Sequence, residues 1–147
     1  MEIGSVIAVS VSKEKGTKKV NVEEAEFTKE FGIVGDAHAG KWHRQVSLLA
    51  IESINKIKQK LPDIVPGNFA ENITTEGINL VLLGIGKKIK LGEDVLLEIT
   101  QIGKECHARC EIFRLVGDCV MPKEGVFAKV LKGGKVKAGS KIEVIVT

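Results

Sequence analysis

The sequence predicts a mostly-β, barrel-like domain with one or two short helices packed on it. Three features carry this. Short runs of alternating aliphatic residues recur along the chain, sixteen glycines are scattered as turn punctuation, and one stretch alone has a clear helical period. At 147 residues the chain suits a single domain, 1–147, with a core large enough to stand without disulfides.

The elements follow in order. Ile3 to Val11 alternates loosely and ends in the charged turn Lys13-Glu14-Lys15-Gly16. Val20 and Val22 lie two apart, which places both on one face of a second strand. Val46-Ser47-Leu48-Leu49 reads as strand. From Ala50 to Leu61, Ile51, Ile54, Ile57 and Leu61 recur at three- and four-residue steps, so this segment is an amphipathic helix that Pro62 stops. The Pro66-Gly67 turn leads into a strand carrying Glu71 and Asn72. Val95 to Ile102 is the strongest strand, and a second, shorter helix is expected from Ala108 to Leu115. Val126 to Leu131 is a strand ending at Gly133-Gly134, a pair suited to the tight turn of a hairpin. Lys141 to Val146 closes the chain with period-2 alternation.

Composition excludes several functions. Five Phe, one Trp and no Tyr count against the stacking platforms of single-strand nucleic-acid binders, and 22 basic against 19 acidic residues is too balanced for a general DNA-binding footprint. No segment approaches the roughly 20 apolar residues of a membrane span. Glu2 stands where a secretory signal carries basic residues, which points to the cytoplasm. Lys132, Lys135, Lys137 and Lys141 form a solvated basic edge that guards against strand-to-strand aggregation. Gly84-Ile85-Gly86 is a turn without the third glycine of a dinucleotide fingerprint.

Three clusters can carry chemistry. The first leaves the strongest strand through Gly103 and runs Lys104-Glu105-Cys106-His107-Ala108-Arg109-Cys110. Three cationic neighbours and the start of an expected helix favour thiolate over thiol at Cys106, as a reactive cysteine requires. A buried, inert cysteine is the plainer alternative. The spacing Cys106-x3-Cys110-x8-Cys119 also leaves open a three-thiol metal site completed by His107 or His38, although a structural zinc site normally shows a second pair of ligands. The second cluster, Gly32 to Gln45, gathers glycines, Asp36, His38, Lys41, His43 and Arg44 in one loop, a composition that suits an anionic ligand or a solvated turn. In the third, Glu71 and Asn72 follow the Pro66-Gly67 turn, where they can read the edge of a heterocycle or tie the turn itself.

Taken together and in order, Gly35-Asp36-Ala37-His38-Ala39-Gly40, Arg44-Gln45-Val46-Ser47, Gly67-Asn68-Phe69-Ala70-Glu71-Asn72-Ile73, the strand leading to Cys106, and the closing segment Gly125 to Gly134 resemble the MOSC family. These domains are named for the C-terminal part of molybdenum cofactor sulfurases. The resemblance spans nearly the whole chain, and the closing segment looks like the family's last hairpin. It implies a compact barrel with a site built around one cysteine, here Cys106, which holds sulfur as a persulfide or ligates the molybdenum of a molybdopterin-type cofactor. Asp36, His38, Glu71 and Asn72 would line the same pocket, and Arg44, Lys104 and Arg109 would meet the cofactor's phosphate. Ala37 stands where many stand-alone relatives have Arg, which removes one anion contact. The chain carries no pyridoxal-phosphate desulfurase domain, so the implied partners are a cysteine desulfurase as sulfur donor and a molybdoenzyme or cofactor-biosynthesis protein as acceptor. A reductase module for N-hydroxylated substrates, with Cys106 on the metal, and a non-catalytic cofactor-binding or metal-stabilised module are the alternatives.

Overall fold

The computed structural model describes residues 3–14, 17–103 and 124–145. The expected Ala108 to Leu115 helix and the segment carrying Lys104, Cys106, His107, Arg109, Cys110 and Cys119 lie outside the described residues. The strands are β1 (Ile3–Val11), β2 (Val20–Val22), β3 (Glu24–Thr28), β4 (Gly32–Ile33), β5 (Val46–Ala50), β6 (Ile73–Glu76), β7 (Lys88–Leu91), β8 (Val95–Ile102), β9 (Val126–Lys132), β10 (Gly134–Lys137) and β11 (Lys141–Ile145). The helices are α1 (Ile51–Lys58) and α2 (Leu80–Leu83).

Seven strands in the order β11-β7-β8-β9-β5-β6-β1 close on themselves through pairing of β1 with β11, and β2 adds to the far end of β1. Period-2 patterning fills the barrel. Val95, Leu97 and Ile99 of β8 point inward while Leu96, Glu98 and Thr100 remain half-exposed. The run β5 breaks this alternation because both of its faces are covered. Val46 and Leu48 join the barrel core, whereas Leu49 packs outside with Ile54 and Ile57 of α1, Phe69 and Phe127. Burying each such isoleucine contributes about 1.5–3 kcal/mol, which is what holds α1 to the barrel. The helix serves as the crossover that lets β6 return parallel to β5. It ends before Pro62, with the N–H groups of Lys60 and Leu61 both turned back on the Ile57 carbonyl.

Three expectations are corrected. The glycines after β9 do not make a hairpin: β10 leaves the barrel and pairs with β3 in a separate sheet of order β10-β3-β4. A Cβ on Gly133 would stand 2.4 Å from the Phe27 carbonyl oxygen. Glycine is therefore needed for a close crossing between sheets rather than for a reversal. Glu71 and Asn72 also precede their strand, since β6 begins at Ile73; Glu71 instead folds back onto the turn before it. Lys135 and Lys137 do lie exposed on β10, the edge of the small sheet, but Lys141 lies on β11, which is paired on both sides. Among the described residues no helix is long and apolar enough to cross a membrane.

Candidate functional site

The predicted loops meet where β1 ends. Asn72 ties three segments there. Its Nδ2 donates to the Ser10 carbonyl at 3.0 Å, and its Oδ1 accepts from the Ser47 N–H at 3.0 Å and the Ser47 hydroxyl at 3.2 Å. Its own N–H donates to the Ser47 carbonyl, and its carbonyl accepts from the Ser10 N–H. Glu71, fully buried, accepts from the Gly67 N–H at 2.9 Å, the Thr74 hydroxyl at 2.8 Å and the Phe69 N–H at 3.1 Å. Burial pushes its carboxyl above the usual glutamate range, against the pull of these donors. Gly67 in turn packs on the chain before β2: its carbonyl accepts from the Lys19 N–H at 2.8 Å.

That contact sets the position of Lys19. Its ammonium, fully buried, donates to Asp36 Oδ1 at 2.7 Å, to the Ser12 hydroxyl at 3.0 Å and to His38 Nδ1 at 3.1 Å. Asp36 accepts further from the N–H groups of Ser12 and His38, each at 3.1 Å. Burial alone would raise the Asp36 carboxyl, but the Lys19 bond and charge together with the two N–H donors outweigh it and hold it below the ordinary aspartate value.

From His38 the network continues to the root of the cysteine segment. The Trp42 indole donates to the His38 carbonyl at 2.7 Å, and the two rings lie parallel with centroids 6.3 Å apart. The Arg44 guanidinium sits over the Trp42 ring at 4.7 Å and near Phe127 at 5.5 Å, and its buried Nε has no hydrogen-bond acceptor among the described residues. His43 packs edge-on against Trp42, and its Nε2 lies 2.8 Å from Gln101 Oε1. The Gln101 amide then donates to the Gly103 carbonyl at 2.8 Å. The Thr100 hydroxyl also donates to the His43 carbonyl. Gly103 N–H bonds the Gly125 carbonyl at 2.6 Å, so the chain departs from β8 and rejoins β9 at the same place. An open cleft of about 430 Å³ runs beside Trp42 and His43, with Lys41 and Lys129 on its wall. A second cleft of about 400 Å³, between α1 and α2, contains Glu52, Lys56 and Glu124 and none of the predicted site residues.

The structure thus brings Asp36, His38, Glu71 and Asn72 into one hydrogen-bonded network, with Arg44 joined to it through Trp42. Lys104, Cys106 and Arg109 lie outside the described residues, as does the proposed three-thiol cluster. Among the described residues, no three His, Cys, Asp or Glu side chains converge as a metal-ligating group. Lys19 was not anticipated. Alternation gave no signal for it, because burial does not follow the faces here: Lys19 is buried, whereas Asn21 on the same face is exposed and Val22 on the other packs against the barrel core. Val20 is 69% exposed, while Asn21 bonds Ser10 and the Pro66 carbonyl.

The family model for the MOSC domain matches residues 35–143. The YuaD protein of Bacillus subtilis superposes with a TM-score of 0.81 at 21% identity, over 97% of this chain and 95% of that one. YiiM of Escherichia coli gives 0.67 at 21% identity over 97% and 70%, and YiiM of Geobacillus stearothermophilus gives 0.72 at 16% over 97% and 75%. At these identities the likeness is one of fold. No curated protein matches the chain.

Proposed function

Because this chain belongs to the MOSC domain family, whose members are associated with the molybdenum cofactor, we propose that it is a sulfur carrier acting on that cofactor, with Cys106 as the carrying thiol. One observation carries the reading. The strand end from which the cysteine segment departs is joined, through Gln101, His43 and Trp42, to a buried guanidinium Nε that lacks an acceptor among the described residues. A donor buried without a partner costs about 1–3 kcal/mol, and an anionic ligand would remove that cost. The residues present therefore fit an anionic cofactor. Arg44 would hold its charge, and Lys41 would draw it in from the adjoining cleft, whose wall also carries Glu30 and Lys129, the latter paired with Glu98.

Gly103 precedes Cys106 by three residues, and three residues reach at most about 10 Å, so the chain length ties the thiol to this strand end. The Cys106 thiolate attacks the outer sulfur of a donor enzyme's persulfide. A new S–S bond forms at Cys106, the donor's S–S bond breaks, and the donor cysteine leaves as thiolate with no net oxidation. The cationic surroundings of Cys106 in sequence, Lys104, His107 and Arg109, favour the anionic thiolate and the persulfide that follows. Where the cofactor is bound, Arg44 would hold its anionic group and the molybdenum would supply a soft metal centre with affinity for sulfur.

Intact-mass analysis after incubation with a cysteine desulfurase and free cysteine tests the proposal. One added sulfur atom is expected on the wild-type chain, removable by thiol reductant, and none on Cys106→Ser. Equal addition to both, or none to the wild type, overturns it.

A further inference from the structure

The motif Asp36-Ala37-His38 invites the common arrangement in which a carboxylate takes the Nδ1 proton of a histidine and leaves Nε2 as a base. Here the contact is absent, because Asp36 Oδ2 stands 3.9 Å from His38 Nδ1, beyond hydrogen-bond range. That oxygen accepts instead from the backbone N–H of His38. The atom that does reach Nδ1 is the Lys19 ammonium, at 3.1 Å.

An ammonium has three protons and no lone pair. Lys19 Nζ has three neighbours at hydrogen-bond distance, namely Asp36 Oδ1, the Ser12 hydroxyl and His38 Nδ1. Each can take one proton only if Nδ1 offers its lone pair. The ring proton then resides on Nε2. We propose that Lys19 is a positioning residue that fixes His38 as a neutral imidazole protonated on Nε2, so that Nε2 is a hydrogen-bond donor rather than a base. Asp36 serves this arrangement twice, by holding the ammonium in place and by holding the backbone of the histidine.

The charged and titratable groups facing His38 among the described residues are Lys19 and Asp36, and its ring lies alongside Trp42. With the ammonium removed, a small ring movement would let Asp36, 3.9 Å away, take the Nδ1 proton. Lys19 therefore decides which ring nitrogen carries hydrogen. That His38 faces the ligand rests on the function proposed above, but the position of its proton does not.

Nitrogen-15 NMR of the imidazole in the intact chain tests this. The wild type should show an unprotonated Nδ1 and a protonated Nε2. Lys19→Met should move the proton to Nδ1. Lys19→Arg, still a pure donor, should restore the wild-type pattern. Where Lys19→Met fails to fold, Lys19→Met with Asp36→Asn leaves no unpaired charge, and the single fixed tautomer should give way to a mixture. A proton on Nδ1 in the wild type, or an unchanged tautomer in the folded Lys19 variants lacking a cation, overturns the proposal. Sulfur loading at Cys106 is read in none of these measurements, so its failure and a wrong tautomer are separate results.

Discussion

Glu71 and Asn72 show how one side chain can hold a loop in a single shape. Each carboxylate oxygen of Glu71 faces a donor, and a carboxylate is the one side-chain group that can accept on both sides at once. Glu71→Gln would turn an amide N–H₂ toward either the Phe69 N–H or the Gly67 N–H and the Thr74 hydroxyl, leaving at least one buried donor unpartnered. The expected loss is about 1–3 kcal/mol, read as a lowered urea midpoint with unchanged slope. A Gln variant as stable as wild type would show that the carboxylate is not needed there. The sequence marked Glu71, Asn72, Asp36 and His38 as polar groups grouped in loops, but it left two uses open for each. For Asn72, Asp36 and His38, contact with Ser10, Ser47, Ser12 and Lys19 decides the use, and these partners come from segments far apart in the chain, whereas Glu71 bonds its own turn.

At the scale of elements, the Pro66 to Asn72 turn does more than connect α1 to β6. Gly67 has φ +98°, and a Cβ there would stand 2.3 Å from the Lys19 carbonyl oxygen. The turn thereby presses on the segment that delivers Lys19 to Asp36. Gly84 has a similar φ of +88° but open space around it. Gly84→Ala should therefore cost only the backbone strain, whereas Gly67→Ala should cost that and the displaced contact, exceeding Gly84→Ala by more than about 1 kcal/mol. Denaturant unfolding of the two variants measures the difference, and equal losses would remove the close approach from the account. Elements with strong periodicity were legible in the sequence. Strands β1 and β8 have the expected ends, and α1 falls within the expected helix. The Gly133-Gly134 pair misled because close approach and reversal both call for glycine, and only the partner strand separates them.

Across the whole molecule, two buried carboxyls give opposite pH dependences. Asp36 is held below its ordinary value, so its contribution is present above that value and is lost as the pH falls through the lowered one. Glu71 is raised, so the fold loses stability as the pH rises from the ordinary glutamate value through the raised one. Replacing the pair with Lys19→Met and Asp36→Asn should remove the first dependence and keep the second. The stability difference between wild type and this variant should shift against the wild type below about pH 4. Urea titrations across that range measure it, and a difference independent of pH would show that Asp36 is not held ionised by the fold. The closed barrel frames both groups, because β1 pairs with β2, β6 and β11 and so draws the Ser10 and Ser12 backbone into one rigid end.

By itself the sequence determined the class of the fold, the strands and helix with clear periodicity, and the family, because these depend on local alternation and on short motifs in a given order. Tertiary structure alone decided that a lysine between two surface-like segments is buried against Asp36, and that β10 abandons β9 for β3. It also showed that Glu71 and Asn72 serve the backbone around them. Glu71 finds its donors within four residues, in a turn held by the barrel, but for Lys19, Asn72 and β10 the physical reason is shared. A buried polar group must find its partners, and those partners are set by which distant segments the closing of the barrel brings within 3 Å, a distance that no local pattern encodes.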